Sequence, residues 1–142
     1  MAKITKPHNS RQLAVQIAHL ASDKLAENIL ILDLRKIDSA PSDFFVICTA
    51  LSTSHSKAIF EEIYVTLKNK DIDTPKTEGT DSMDWILLDY FDVVVHIMSV
   101  EARNYFKLER IWSDAKFLTI ENDEIVDFDK NILKEIYLVP TV

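Results

Sequence analysis

Two periods of hydrophobic positions run along this chain, and the switches between them mark out its elements. From Ser10, the stretch SRQLAVQIAHLASDKLAEN places Leu13, Ile17, Leu20 and Leu25 near one helical face, with Ser10 as N-cap and Asn28 as the stop. His19 falls off that stripe and is expected in solvent. ILILDL (29–34) and FFVICT (44–49) are continuous apolar runs, as expected of strands covered on both faces. The polar link between them, RKIDSAPSD, has turn chemistry around Pro41 and Ser42. A second helix opens at Ser52 or Ser54, with Ile59, Ile63 and Leu67 as its core stripe and Phe60 and Tyr64 flanking it.

The loop DIDTPKTEGT follows, with a short edge strand expected from Lys76 to Glu78. WILLD (85–89) and VVVHIM (93–98) read as a hairpin across YFD. A period of two sends Trp85, Leu87 and Asp89 to one face and Ile86 and Leu88 to the other. On the second strand Asp92, Val94, His96 and Met98 oppose Val93, Val95 and Ile97. Ser99 is the expected N-cap of a further helix, with Glu101 favourable in its first turn. On that helix Ala102, Tyr105, Leu108, Trp112 and Ala115 share one face, with Arg103 and Glu109 close to its edge. Beyond Ala115 the apolar residues have no clean period; a turn around Asn122 and a short helix near 130–137 are expected. Helices interspersed among strands in this order predict an α/β protein, a mixed β-sheet with helices packed on it. Residues 1–9 read as a tail, 10–115 as the domain, and 116–142 as a C-terminal extension whose structure the pattern leaves open.

Composition narrows the function. A chain of 142 residues suggests one domain with a sizeable core. No apolar run is long enough to span a bilayer, and MAKITKPHNSRQLAVQ lacks the apolar centre of a secretory signal, so a cytoplasmic location is expected. The formal charge of -7 opposes direct DNA binding and favours a partner with a basic surface, such as a basic protein. Gly79 is the one glycine, which excludes the glycine-rich cradles of dinucleotide fingerprints and P-loops. Cys48 is the one cysteine; no disulfide framework is available, and a buried apolar filler is the better reading. His8, His19, His55 and His96 are scattered without metal-ligand spacing. No metal or cofactor is expected, and no residue is assigned as catalytic.

Three groups still invite chemistry. As a general base His96 would need an orienting carboxylate, from Glu101, Asp89 or Asp92; a hydrogen-bonded structural imidazole is the favoured alternative. A nucleotidyltransferase site needs two carboxylates at alternate strand positions after a Gly-Ser turn, and neither Asp33 nor Asp43 stands in such a pair. Trp85 and Leu87 beside Asp89 have the composition of a protein-binding hot spot, if no helix covers both faces of their strand. An enzyme, a binding factor and a dimerisation module with another partner all stay open at this point.

One resemblance separates them. The order E-G, W-I-x-x-D, V-x-V-H, E-x-R-x-Y, L-E-x-x-W appears here as Glu78-Gly79, Trp85-Ile86, Asp89, Val93, Val95-His96, Glu101, Arg103, Tyr105, Leu108-Glu109 and Trp112. With ILILDLRKIDSAPSDFFVICTALSTSHSKAI, it resembles the ribosomal silencing factor family, also called Iojap-like, over roughly residues 12–115. The resemblance implies a non-enzymatic factor that binds the large ribosomal subunit, on its basic protein numbered fourteen. There it would block joining of the small subunit and repress translation when nutrients are short. It also implies a nucleotidyltransferase-like fold lacking the catalytic site, and a homodimer. Carried onto this sequence, it makes Glu78, Trp85, Leu87 and Asp89 the ribosome-facing patch. Tyr105 and Glu109 either border that patch or dock the last helix; Trp112 is read as docking. The chain departs from the family pattern at Ala50 and Phe91, where glycine is usual, and at Ser54, where an arginine is common.

Overall fold

Apolar runs with two faces to bury dictate a sheet with material on both sides, and the computed structural model has that form. It describes residues 6–137; residues 1–5 of the expected tail and 138–142 of the extension lie outside the described residues. The element order is α1 (Ser10–Asp23), β1 (Glu27–Asp33), β2 (Phe44–Ala50), α2 (Thr53–Lys68), β3 (Lys76–Glu78), β4 (Trp85–Asp89), β5 (Val93–Ser99), α3 (Val100–Phe106), α4 (Leu108–Ile111), β6 (Lys116–Glu121) and β7 (Glu124–Asp127), then a 3-10 helix, Lys130–Tyr137. The strands form one mixed seven-stranded sheet in the order β3-β4-β5-β2-β1-β6-β7. The central β2 and β5 run parallel, Phe44 opposite Val93 through Ala50 opposite Ser99, and the other neighbouring pairs are antiparallel. Residues past Ala115 carry the same sheet outward, β6 on β1 and β7 on β6.

The two faces are covered unequally. On the first, Val46, Cys48, Ile86, Leu88, Val95 and Ile97 pack beneath α1 and α2, whose Ile17, Ile59, Ile63 and Leu67 are wholly buried. Each fully buried aliphatic side chain of this kind contributes about 1.5–3 kcal/mol relative to exposure. Burial pushes the Cys48 thiol up to about 12, so it is a packing group rather than a nucleophile. On the second face Leu32, Phe45, Ile47, Val94, Met98 and Phe117 of the sheet lie under Ala102, Leu108 and Ile136. That cover thins towards β4, where Trp85 and Leu87 are only half-buried.

Local chemistry corrects several expected boundaries. Asn9, not Ser10, caps α1, its Oδ1 accepting from the Gln12 amide at 2.8 Å. Ser10 instead donates its hydroxyl to Asp43 (3.0 Å), tying the helix to the entry of β2. His19, expected in solvent, is buried, because α1 packs across β1, β2 and β5 and also against α2, so its covered arc is wider than one stripe. Leu25, expected in the core, is exposed. The helix stops two residues earlier in a Schellman cap, Ala26 N–H to Ala21 O and Leu25 N–H to Ser22 O, with Leu25 at the left-handed position (φ 61). Asn28 does not end the helix; it sits with φ 47 in the irregularity of β1 between Glu27 and Leu30. Asn122 and Asp123 form the two-residue turn between β6 and β7, both at positive φ.

With so few glycines, ordinary residues occupy left-handed positions. The single Gly79 (φ 81) stands where a Cβ would meet the Trp85 carbonyl oxygen at 1.9 Å, so it serves the close approach of backbones rather than a phosphate. Phe91 is the first central residue of the β4–β5 turn, closed by Tyr90 N–H to Val93 O, and has φ 76 with its ring 83% exposed. Glycine is preferred at that turn position. Phe91→Gly should therefore stabilise the protein by about 0.5–1 kcal/mol, the relieved strain exceeding the added unfolded-state entropy. Urea unfolding at constant m-value measures this, and an unchanged or lower midpoint would show that the turn is not strained.

Candidate functional site

The strand alternation places Trp85, Leu87 and Asp89 on the second face of β4, where α3 packs on β5 and β2 and leaves β4 half-open. β3 continues this surface, with Glu78 opposite Leu87 and Lys76 opposite Asp89. On the inner side Met98 lies opposite Trp85 and His96 opposite Leu87. The Trp85 indole N–H donates to His96 Nδ1 at 3.0 Å, and its ring lies against Phe106 with centroids 4.9 Å apart. Tyr105, 81% exposed, extends the aromatic row through an edge contact with Phe106 at 4.9 Å. Asp84 and Glu101 line the shallow depression beside Tyr105 and Phe106. Asp89 accepts from the Phe91 amide (2.8 Å) and remains partly open to water. The result is an aromatic and aliphatic surface rimmed mainly by carboxylates.

His96 is the hydrogen-bonded structural imidazole favoured above, and its partner is an indole rather than Glu101, Asp89 or Asp92. Its ring is 4% exposed and meets Phe45 in an edge contact at 4.6 Å. Acceptance at Nδ1 puts the proton on Nε2, which is buried without a hydrogen-bond partner. Burial first, and the Arg103 guanidinium second, push its pKa from 6.5 down to about 3. The imidazole is therefore neutral and unsuited to carrying protons at ordinary pH.

Glu109 requires a correction, since its carboxylate is wholly buried and faces no partner surface. The expected single helix from Ser99 breaks at Lys107 (φ 49), which separates α3 from α4 and turns Glu109 inward while Tyr105 stays outside. Inside, Arg103 donates Nε–H to Glu109 Oε1 and Nη1–H to Thr49 Oγ1 at 2.9 Å. The Tyr137 hydroxyl donates to Glu109 Oε2 at 2.5 Å, closing the network from the 3-10 helix. Trp112 does dock, with its ring 6.0 Å from Phe45 in an edge contact. Glu78, Trp85, Leu87 and Asp89 thus share one surface, Tyr105 joins it through Phe106, and Glu109 does not. The residues that sequence reasoning missed are Phe106 and, as the indole acceptor, His96. An unbroken helix hides Phe106 from the shared face, whereas the diagonal spacing of Trp85 and His96 across a hairpin was available as a signal.

Among the described residues no group of three or more His, Cys, Asp or Glu side chains is placed to hold a metal ion, and no helix is long and apolar enough to cross a membrane.

Two outcomes test this interior. Glu109→Ala leaves the Arg103 charge buried and uncompensated, and should cost about 3–5 kcal/mol in urea unfolding. A loss below about 1 kcal/mol would mean that water reaches the guanidinium. For His96, the unfolded chain takes up a proton below 6.5 while the native state does so only near 3, so acid favours unfolding across that window. Stability should fall on acidification with a His96 component approaching about 1.4 kcal/mol per pH unit. His96→Phe should lack that component; parallel slopes for the two proteins between about pH 6 and pH 4 would refute the neutral assignment.

A family model described as "Ribosomal silencing factor during starvation" matches residues 7–135. The chain is 36% identical over 113 residues to "Ribosomal silencing factor RsfS" of Bacillus subtilis, covering 80% of this chain and 95% of that one. It is 30% identical over 101 residues to "Mitochondrial assembly of ribosomal large subunit protein 1" of Mus musculus, covering 69% of this chain and 42% of that one. A crystal structure from Chromobacterium violaceum superposes with a TM-score of 0.70 at 28% identity, over 74% of this chain and 87% of that one. One from Bacillus halodurans does so with a TM-score of 0.62 at 30% identity, over 83% and 96%. A match spanning almost every described residue, joined to this level of identity, means that the chain belongs to the ribosomal silencing factor family.

Proposed function

We propose that this protein represses translation by binding the large ribosomal subunit through the Trp85–Leu87 surface and obstructing the small subunit sterically. The observation that carries this reading is the half-open second face of β4, where an indole and a leucine stand among Glu78, Asp84, Asp89 and Glu101. An apolar centre with an acidic rim fits a partner that presents apolar side chains among lysines and arginines, and the large-subunit protein numbered fourteen is the proposed one. The net charge of -7 favours rapid encounter with such a partner at low salt. The mouse relative's name, which refers to assembly of the large ribosomal subunit, supports the same side of the ribosome. Glu78, Trp85, Leu87, Asp89 and Tyr105 are the proposed contact residues; the role is one of binding, with no chemical step.

Subunit sedimentation tests it. The wild type should travel with purified large subunits and diminish the joined-ribosome peak when small subunits are added. Leu87→Ala and Tyr105→Ala remove contact area from two parts of the proposed surface, and Asp89→Lys reverses a rim charge. The residue at the centre of such an interface should cost about 2–4 kcal/mol when truncated, roughly thirtyfold to a thousandfold in affinity. Asp89→Lys should also flatten the salt dependence. If all three variants bind and block like the wild type, the surface lies elsewhere; if the wild type stays at the top of the gradient, the reading is wrong.

A further inference from the structure

The ribosome-facing reading needs a half-open indole held in one orientation, and the structure supplies the group that holds it. We infer that His96 is a positioning residue for the docking surface: its buried Nδ1 fixes the Trp85 indole in the pose that meets the partner, although His96 itself touches no partner. The inference rests on the proposed function and adds a residue that lies beneath the surface rather than on it.

The geometry carries the assignment. Trp85 lies opposite Met98 on β5, so His96 is its diagonal neighbour, at a separation that an aromatic side chain spans. The indole N–H points inward to Nδ1 at 3.0 Å, and Phe106 lies tilted against the ring from α3, with centroids 4.9 Å apart and planes inclined at 51°. These two contacts set both side-chain torsions of a residue that is otherwise half-open to water. His96 cannot join the contact directly, because it is 4% exposed and covered by Phe45. Its own orientation is rigid for the same reason. A neutral ring keeps Nδ1 free to accept, which the low proton affinity of this buried site ensures. An indole ordered before the encounter has less rotational freedom to lose on binding, and its N–H is already satisfied when the surface dries.

A pair of variants separates positioning from simple packing. His96→Asn and His96→Leu put side chains of the same branched shape at the same site, but Asn places a carbonyl oxygen near the former Nδ1 and Leu places only carbon there. Each is compared with the wild type for large-subunit binding by sedimentation and for the Trp85 indole N–H by proton NMR, with the Trp112 signal removed by Trp112→Phe. The expected result is that His96→Leu weakens binding about tenfold, shifts the indole proton upfield and speeds its exchange, while His96→Asn stays within about threefold of the wild type. Equal binding by a folded His96→Leu protein overturns the inference, as does an equal loss in both variants. Should His96→Leu not fold, His96→Phe keeps a planar ring, lacks an acceptor and takes its place. Rapid exchange of the Trp85 indole proton in the wild type overturns the inference without any variant. Failure of the wild type to bind large subunits at all removes the ribosomal reading itself, and the positioning role falls with it; wild-type binding with an indifferent His96 removes the positioning role alone.

Discussion

An arginine taken out of water must keep its carboxylate, and much of the second face of this sheet follows from that need. Arg103 is 1% exposed and its counter-charge, Glu109, sits six residues further along the chain. A continuous helix would put residues six apart on widely different sides, so both cannot face inward on one straight helix. The chain resolves this by reversing handedness at Lys107, which brings α4 back over the arginine. Thr49 accepts one more guanidinium N–H, and Tyr137 covers the far oxygen of Glu109. Lys107 and Arg110 lie 5.4 and 5.2 Å from the Tyr137 ring centroid, adding cation–π contacts that hold the 3-10 helix in place. Removing either charge exposes the desolvation cost of the other, so the group behaves as one unit.

The same break decides what the protein shows to the outside. Because α3 ends at Phe106, Tyr105 and Phe106 face away from the buried pair and lie beside Trp85. The chain after α3 turns back towards β2, where Trp112 meets Phe45, and Trp85 and Leu87 on β4 keep part of their surface. The buried ion pair and the exposed aromatic row are thus two consequences of one kink. Solvation orders the interior, and the surplus apolar surface is left along one edge of the sheet, between the exposed strand β3 and the helix.

Asymmetric cover also explains why the open apolar surface lies on one face of the sheet. The first face is closed by two long helices whose buried stripes match the strands beneath them. Cys48 is one of the packing residues of that face. The open part of the second face lies where the second layer stops, and Trp85 is tied there from below, through its hydrogen bond to His96 and the strand pairing.

Much of this was legible in the residues themselves. The period of two in WILLD and VVVHIM put Trp85, Leu87 and Asp89 on one face and His96 on the matching face of its neighbour, because a strand has no other way to arrange side chains. The α/β class, the edge strand from Lys76 to Glu78 and the stripe of α2 followed from the same local rules. The family followed from the order of its motif residues. Other features depended on groups distant in sequence. Helix ends at Asp23 and Phe106 are set by left-handed residues, Leu25 and Lys107, that carry no glycine to announce them. Glu109 looks like a surface acid until Arg103, Thr49 and Tyr137 surround it, and burial of that kind is a property of the assembled network rather than of any residue type. The sequence alone determined which side chains share a face, since that is geometry within one element; only the tertiary structure decided which faces are covered, since that depends on where the next element comes to rest.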